Sequence, residues 1–428
     1  MSDTNAHPST IDADVIVVGA GPGGASAAYH LAKTGVDVAV LEKSVFPRDK
    51  ICGDGLTPAA VVELLAMGMD VSGWATNYGL RVFGGGHELE FPWPDQKTLP
   101  GYGLCRQREK LDHELIQQAV KAGARLYENH AVTGAITDSR GRVSGVTARV
   151  GRGKDTAQVE GRAKLVVDAG GVAARLATSL GIEKKANRPL GVAARAYFKS
   201  PRSSDTMMES HLQLWSGTPR ESELLPGYGW IFPMGDGTVN VGLGSVSSDA
   251  TATTLPYKKV FAQWVANLPE EWGLIPENQV SDLRSAALPM AFNRKPHYAN
   301  GLALVGDAGG MVSPFNGEGI APAMKSGRYL AAAAVQALSR PTEHSFDLAM
   351  SSYPQALTDE YGGYYSLGRV FVALIEKPKI MHTCTYYGLP RKRLMKFVNK
   401  LLSDGFERQG GDVYDRVITA LTKVVVKV

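Results

Sequence analysis

Cysteine is scarce in this chain of 428 residues: Cys52, Cys105 and Cys384 stand far apart, with no CxxC pair among them. That scarcity excludes a disulfide framework and a thiolate metal site, and no metal is expected. Histidines such as His113, His211 and His297 are scattered without ligand spacing. Long apolar runs are missing too; the stretches near 330–338 and 370–375 are shorter than the roughly 20 residues a bilayer requires. The opening residues, MSDTNAHPSTIDAD, carry acids and neither a basic nor an apolar run, so no leader is expected. The chain is therefore expected in the cytoplasm, with a flexible segment over residues 1–12. Internal repeats and low-complexity tracts are also lacking. A net charge of +4 without a recognition motif argues against nucleic acid as a partner.

What is present begins at Asp14-Val-Ile-Val-Val-Gly19-Ala-Gly21-Pro22-Gly-Gly24. An apolar strand runs into a tight glycine turn that opens a small-residue helix, and a second strand, Val36-Asp-Val-Ala-Val-Leu-Glu42, ends in an acid. Backbone N–H groups at such a helix start receive a pyrophosphate. Gly19 permits the turn, Gly21 lets a diphosphate approach the backbone, Gly24 lets helix and strand pack closely, and Glu42 is placed for a ribose hydroxyl. Only one such fingerprint occurs, so one dinucleotide has a permanent site. No catalytic His or Tyr/Lys pair follows it, which favours flavin over a nicotinamide dehydrogenase.

Further along, helical and strand patterns alternate as if two domains were interleaved. The pattern predicts an α/β architecture: a Rossmann-type FAD-binding domain interleaved with an antiparallel β-sheet substrate domain, plus a C-terminal helical region. Residues 13–188 and 282–340 are expected to form the first domain, with part of 60–107 on the substrate side. Residues 189–281 are expected to form the antiparallel sheet, with one helix near 257–268. The last segment, 341–428, is expected to be helical and basic. Residues 389–428 hold nine Lys/Arg against four acids, a local +5 in a chain that totals +4. Within them, Pro390-Arg-Lys-Arg393-Leu-Met-Lys396-Phe-Val-Asn-Lys400-Leu-Leu has the pattern of a basic amphipathic helix. Such a helix suits either an anionic lipid surface or plain solvation.

Three segments carry a resemblance. Gly306-Asp307-Ala-Gly-Gly-Met-Val-Ser-Pro-Phe-Asn-Gly317-Glu-Gly319-Ile320, Asp168-Ala-Gly170-Gly171 and the N-terminal fingerprint together resemble the p-hydroxybenzoate hydroxylase-like flavoproteins. Within them, Phe46-Pro-Arg-Asp-Lys-Ile-Cys52-Gly53-Asp54-Gly55 and Tyr228-Gly-Trp230-Ile-Phe-Pro233, with Gly242-Leu-Gly244 downstream, resemble the geranylgeranyl reductase family. The combination with Cys-Gly-Asp-Gly-Leu-Thr-Pro is similar to the actinobacterial menaquinone reductases. Many relatives have Cys-Gly-Gly where this chain has Asp54. Flavin halogenases carry a Trp-x-Trp-x-Ile-Pro segment from which Tyr228 and Phe232 depart.

The resemblance implies FAD as cofactor, with Asp307 on the ribityl chain and Gly317 and Gly319 beneath the ring. It implies cofactor contacts at Gly19, Gly21, Pro22, Gly24, Glu42, Lys43, Cys52, Gly53, Val132, Gly170 and Ile320, and at Arg108 toward the diphosphate. The plainer reading of Arg108 is an exposed helix-start residue. The implied activity is an FAD-dependent reductase that saturates an isoprenoid double bond in the prenyl tail of menaquinone. Its expected partners are a lipid or polyprenyl quinone substrate, an external electron donor of the NADPH or ferredoxin kind, and the inner face of the cell membrane as a peripheral contact. The alternative is a flavin-dependent monooxygenase or halogenase of an aromatic substrate. Saturation needs an acid and walls that tolerate developing positive charge, which aromatic faces do. Cys52, Tyr228 and Trp230 are the candidates; an inert thiol and core-packed rings are the plainer readings of the same residues.

Overall fold

Val15–Val18 and Val38–Leu41 are apolar on both faces, as strands buried between helix layers must be. In the computed structural model, which describes residues 10–94, 96–152, 155–248 and 256–425, they lie at the centre of a six-stranded sheet. Its order is Tyr298–Ala299, Leu302–Leu304, Leu165–Asp168, Val15–Val18, Val38–Leu41, Arg125–Tyr127, all parallel except the first pair. The sheet therefore gathers strands from three distant parts of the sequence. Helix Pro22–Ala32 follows the first glycine turn, and helix Ile320–Leu338 crosses it. The crossing is close because it is built from small residues: a methyl group on Gly327 would fall 2.6 Å from the Gly23 carbonyl oxygen and 2.7 Å from the Ala27 nitrogen. Ser26 Oγ donates to the Met324 carbonyl at 2.7 Å across the same seam.

A four-stranded sheet flanks this core, in the order Thr10–Asp12, Asp155–Arg162, Val143–Arg152, His130–Thr137. Thr10–Asp12 falls in the segment expected to be flexible, yet it pairs in parallel with Glu160–Arg162 because Ile11 buries its side chain in the second core cluster. Residues 1–9, the rest of that expectation, lie outside the described residues.

The larger sheet has seven strands: Arg284–Pro289, Leu190–Lys199, Thr238–Ser247, Tyr228–Pro233, Met208–His211, Gly79–Gly84 and His87–Pro92. Its neighbours are antiparallel, as the alternating pattern predicts, with one departure: Met208–His211 runs parallel to Gly79–Gly84. Helix Tyr257–Ala266 covers one face, and Trp264 lies directly over Gly229. The other face turns toward the Ile320–Leu338 helix start.

Helices Glu343–Met350, Gly363–Ile375, Lys392–Leu402 and Val413–Val424 close the chain. Tyr353, on the short helix Ser352–Leu357, and Tyr365, on helix Gly363–Ile375, are both fully buried and donate to the carbonyls of Leu304 and Met311 at 2.6 Å each, pinning these two helices to the six-stranded sheet and the loop after it. Among the described residues no helix is long and apolar enough to cross a membrane.

Candidate active site

The first glycine turn leaves an open space. Gly19 has φ +99°, and a methyl there would sit 2.6 Å from the Ala169 oxygen, with Gly170 just beyond. A methyl on Gly24 would collide with the Gly19 carbonyl. Gly21 differs: a methyl there meets no atom within 4 Å, so free volume lies in front of the helix N-terminus, whose N–H groups carry partial positive charge. Pro22 occupies the first helical position, where its missing N–H costs nothing. The buried Glu42 carboxylate accepts the Ala20 and Ser44 N–H groups at 3.0 Å each, holding the turn's shape from the neighbouring strand. Lys43 is exposed, and Val132 is half-buried against the second core cluster.

Arg108 is buried rather than exposed, and forks onto Asp112 at 2.7 and 2.9 Å. Arg48, which the sequence left without a role, reaches Asp112 at 2.9 Å and Glu42 at 3.4 Å while stacking on Phe46. Two cations thus sit beside the glycine turn. The only sequence signal for Arg48 was its place in the Phe46-Pro-Arg-Asp-Lys segment.

At the other end, strand Leu302–Leu304 leads into Gly306 (φ +57°) and Asp307. Burial raises the Asp307 pKa, opposed by Lys50, Arg108 and Lys184. Gly317 has φ +73°, which an L side chain rarely adopts. A methyl there would come 3.5 Å from Leu288 and 3.8 Å from Tyr228 Oη. Gly319 caps helix Ile320–Leu338, with Asp307 Oδ1 3.4 Å from the position of a methyl on it, and the buried Ile320 anchors the helix start in the core. Asn316, Gly317, Glu318 and Gly319 are all partly accessible although residues 311–315 and 320–324 are buried, so this loop faces open space.

The wall opposite comes from the seven-stranded sheet. Tyr228 and Trp230, two apart on one strand, project to the same face, with ring centroids 6.1 Å apart. Tyr228 stays partly accessible and donates to the Asn316 carbonyl at 2.6 Å. Trp230 is enclosed: its indole lies over Gly242, meets Gly53 and donates to Asn240 Oδ1 at 2.9 Å. Burial pushes the Tyr228 hydroxyl up to about 12, with Glu318 and Cys52 adding to the shift.

Between the two ends runs the loop carrying Cys52, Gly53 and Asp54. Burial raises the Cys52 thiol above its ordinary pKa, Arg108 opposing. Asp54 has φ +63°, the conformation glycine adopts freely, and turns the departure from Cys-Gly-Gly into an anchor. Its carboxylate accepts the Arg108 N–H at 3.2 Å, Asn240 Nδ2 at 2.8 Å and a short bond from Tyr197 Oη. Asn240 also donates to the Cys52 carbonyl at 2.9 Å. Burial pushes the Asp54 carboxyl up to about 6 despite these bonds. Thr57, just beyond, donates to Glu318 Oε1 at 2.7 Å, and burial raises Glu318 to about 7. Nothing local in the sequence marks Tyr197, Asn240, Thr57 and Glu318, because they meet residues 143 to 261 positions away.

These features fit a dinucleotide held between two helix starts. A family described as FAD binding domain matches residues 12–344. The chain is similar to the menaquinone reductase of Mycolicibacterium smegmatis, at 34% identity over 95% of each chain. It is 35% identical to the menaquinone reductase of Mycobacterium tuberculosis, over 92% of this chain and 91% of that one. A geranylgeranyl bacteriochlorophyll reductase-like crystal structure from Thermoplasma acidophilum superposes with a TM-score of 0.77, at 22% identity, over 96% of this chain and all of the other. A flavin-dependent brominase shares the fold at TM-score 0.70 and 21% identity, over 96% and 98% of the two chains. The chain belongs to the FAD-binding-domain family and is an FAD-dependent reductase of the menaquinone reductase and geranylgeranyl reductase type.

Proposed function

We propose that this reductase saturates an isoprenoid double bond in the prenyl tail of menaquinone. The observation that carries the reading is the placement of the Tyr228 ring: partly open, at the glycine start of helix Ile320–Leu338, with Leu288 and Met290 close by. An apolar chain finds an apolar wall there, and developing positive charge on an alkene carbon finds an aromatic face, an interaction of about 0.5–2 kcal/mol. Gly21, Arg48 and Arg108 would serve the diphosphate, and Asp307, Gly317 and Gly319 the flavin end. FAD, once reduced, supplies a hydride equivalent. Trp230 and Asn240 hold the Cys52–Asp54 loop against the sheet, so Cys52 lines the same space.

A single dinucleotide fingerprint supports an external donor, a nicotinamide nucleotide or a ferredoxin-like carrier, as the source of electrons. A hydrophobic substrate also calls for contact with the bilayer. The stretch 386–396 supports this: Tyr386, Tyr387 and Leu394 are exposed alongside Arg391, Lys392, Arg393 and Lys396, a mixture suited to an anionic headgroup layer.

The test is anaerobic incubation of the holoenzyme with menaquinone and a low-potential reductant, followed by mass spectrometry of the quinone. The expected product carries two more hydrogens in its tail. Unchanged quinone, together with oxygen uptake stimulated by an aromatic substrate, would overturn this reading in favour of a monooxygenase or halogenase.

A further inference from the structure

Saturating a double bond takes a proton as well as a hydride, and the acids around the site are not equivalent. Asp54 is completely enclosed, and both its oxygens are occupied by Arg108, Asn240 and Tyr197. Burial raises Asp307 against the opposing Lys50, Arg108 and Lys184, but its Oδ1 lies against Gly319, at the end of the site assigned above to the flavin. Tyr228 commits its hydroxyl to the Asn316 carbonyl and is a very weak acid. Cys52 holds its proton, yet burial makes its thiol a weaker donor than an ordinary one. Glu318 remains. It stands between Gly317 and Gly319, on the loop that faces the open space, and its backbone is fixed by two bonds: its N–H donates to Asn316 Oδ1 at 3.0 Å and its carbonyl accepts the Ser313 N–H at 2.8 Å.

We infer that Glu318, oriented by Thr57, is the catalytic acid that protonates the alkene. The inference rests on the proposed prenyl-chain reduction. The π electron pair takes the Glu318 carboxyl proton at one carbon while a hydride equivalent closes the other. The alkene gains two hydrogens, the reduced cofactor is oxidised by two electrons, and Glu318 is left as a carboxylate that solvent reprotonates. The external donor restores the two electrons.

The surroundings suit this cycle. A general acid works best when its pKa lies near the operating pH, and Glu318 is raised to about 7, chiefly by burial. The groups facing it are Thr57 from the start of helix Pro58–Ala66, Asn316 on its own loop, Tyr228 from the sheet, Lys325 on helix Ile320–Leu338, Tyr365 from helix Gly363–Ile375 and Asp404 from the C-terminal region. Asp404 raises the Glu318 pKa, whereas Thr57, Asn316 and Lys325 lower it. Thr57 donates to Oε1, which directs the carboxyl proton to Oε2.

The near-isosteric Glu318→Gln holoenzyme tests the proposal. It should keep its FAD and its reduction by dithionite while alkene saturation falls about 100-fold or more, in the range that a lost general acid costs. Wild-type saturation should decline as pH rises through about 7, a limb absent from the residual rate of Glu318→Gln. Thr57→Val removes a bond that favours the carboxylate, so it should move that limb to higher pH. In the infrared difference spectrum of wild-type minus Glu318→Gln holoenzyme at pH 6, in which the partly protonated Asp54 common to both cancels, the carbonyl band of a neutral carboxyl should appear. Wild-type rates in Glu318→Gln, a limb lost instead in Cys52→Ser, or absence of the infrared band each overturn the inference alone. A wild-type enzyme that saturates no prenyl chain with any donor overturns the underlying reading as well.

Discussion

At the scale of single residues, Gly21 and Gly24 lie three positions apart in one motif yet answer to different constraints. A side chain at Gly24 has nowhere to go, because the Gly19 carbonyl is in its path. One at Gly21 enters free space from an ordinary backbone conformation (φ −76°). Gly24→Ala should therefore destabilise the fold by about 1–3 kcal/mol, as overpacking does. Gly21→Ala should leave unfolding within about 0.5 kcal/mol of wild type while flavin affinity falls about tenfold or more, a loss of about 1.4 kcal/mol. Urea denaturation and flavin titration of both variants check the contrast. Asp54 makes a prediction with a sign. Its folded pKa of about 6 lies above the ordinary value of about 3.9, so the folded state binds the extra proton in between. The stability this confers is complete below about pH 4 and is lost as pH rises through 6. The stability difference between wild type and Asp54→Asn should therefore shift against wild type over that window in urea melts. The glycine motif was legible because backbone geometry dictates residue type locally. The Asp54 cluster was not, because Asn240 and Tyr197 arrive from strands whose register no local pattern announces.

At the scale of elements, the C-terminal basic helix shows how a sequence pattern can be right in kind and wrong in one member. Its spacing predicted a charged face that included Lys400. In the structure Lys400 is buried and paired with Asp412 at 2.9 Å and Asp415 at 2.7 Å, the two acids that also form a reciprocal cap on helix Val413–Val424. It fastens two helices together and is not available to a surface. Arg391, Lys392, Arg393 and Lys396 stay exposed. Changing these four to Gln should weaken binding to anionic vesicles, at about 1 kcal/mol per removed charge, and leave the melting temperature nearly unchanged. Lys400→Gln should do the reverse. Vesicle sedimentation and calorimetry separate the two outcomes. The strands Val15–Val18 and Val38–Leu41 and the helix Pro22–Ala32 were legible for the opposite reason: apolar content, glycine and length agree within one short stretch. Thr10–Asp12 was missed because one buried isoleucine in an otherwise polar run leaves almost no signal.

At the scale of the whole molecule, the candidate active site is a meeting of segments from one sheet, one loop and two helix starts. The Tyr228–Asn316 bond and the Asn240–Cys52 bond join the seven-stranded sheet to the glycine loops across 88 and 188 residues of sequence. The seam between helices Pro22–Ala32 and Ile320–Leu338 has a further consequence. Backbone lies against backbone at Gly23 and Gly327, with no side chain between them to compress or swing aside. The two glycine-lined mouths at the tips of those helices are consequently set apart like the jaws of a fixed gauge. A molecule seated at both must have the matching span, so FMN, which lacks the adenylate half, should bind far more weakly than FAD in a competition titration.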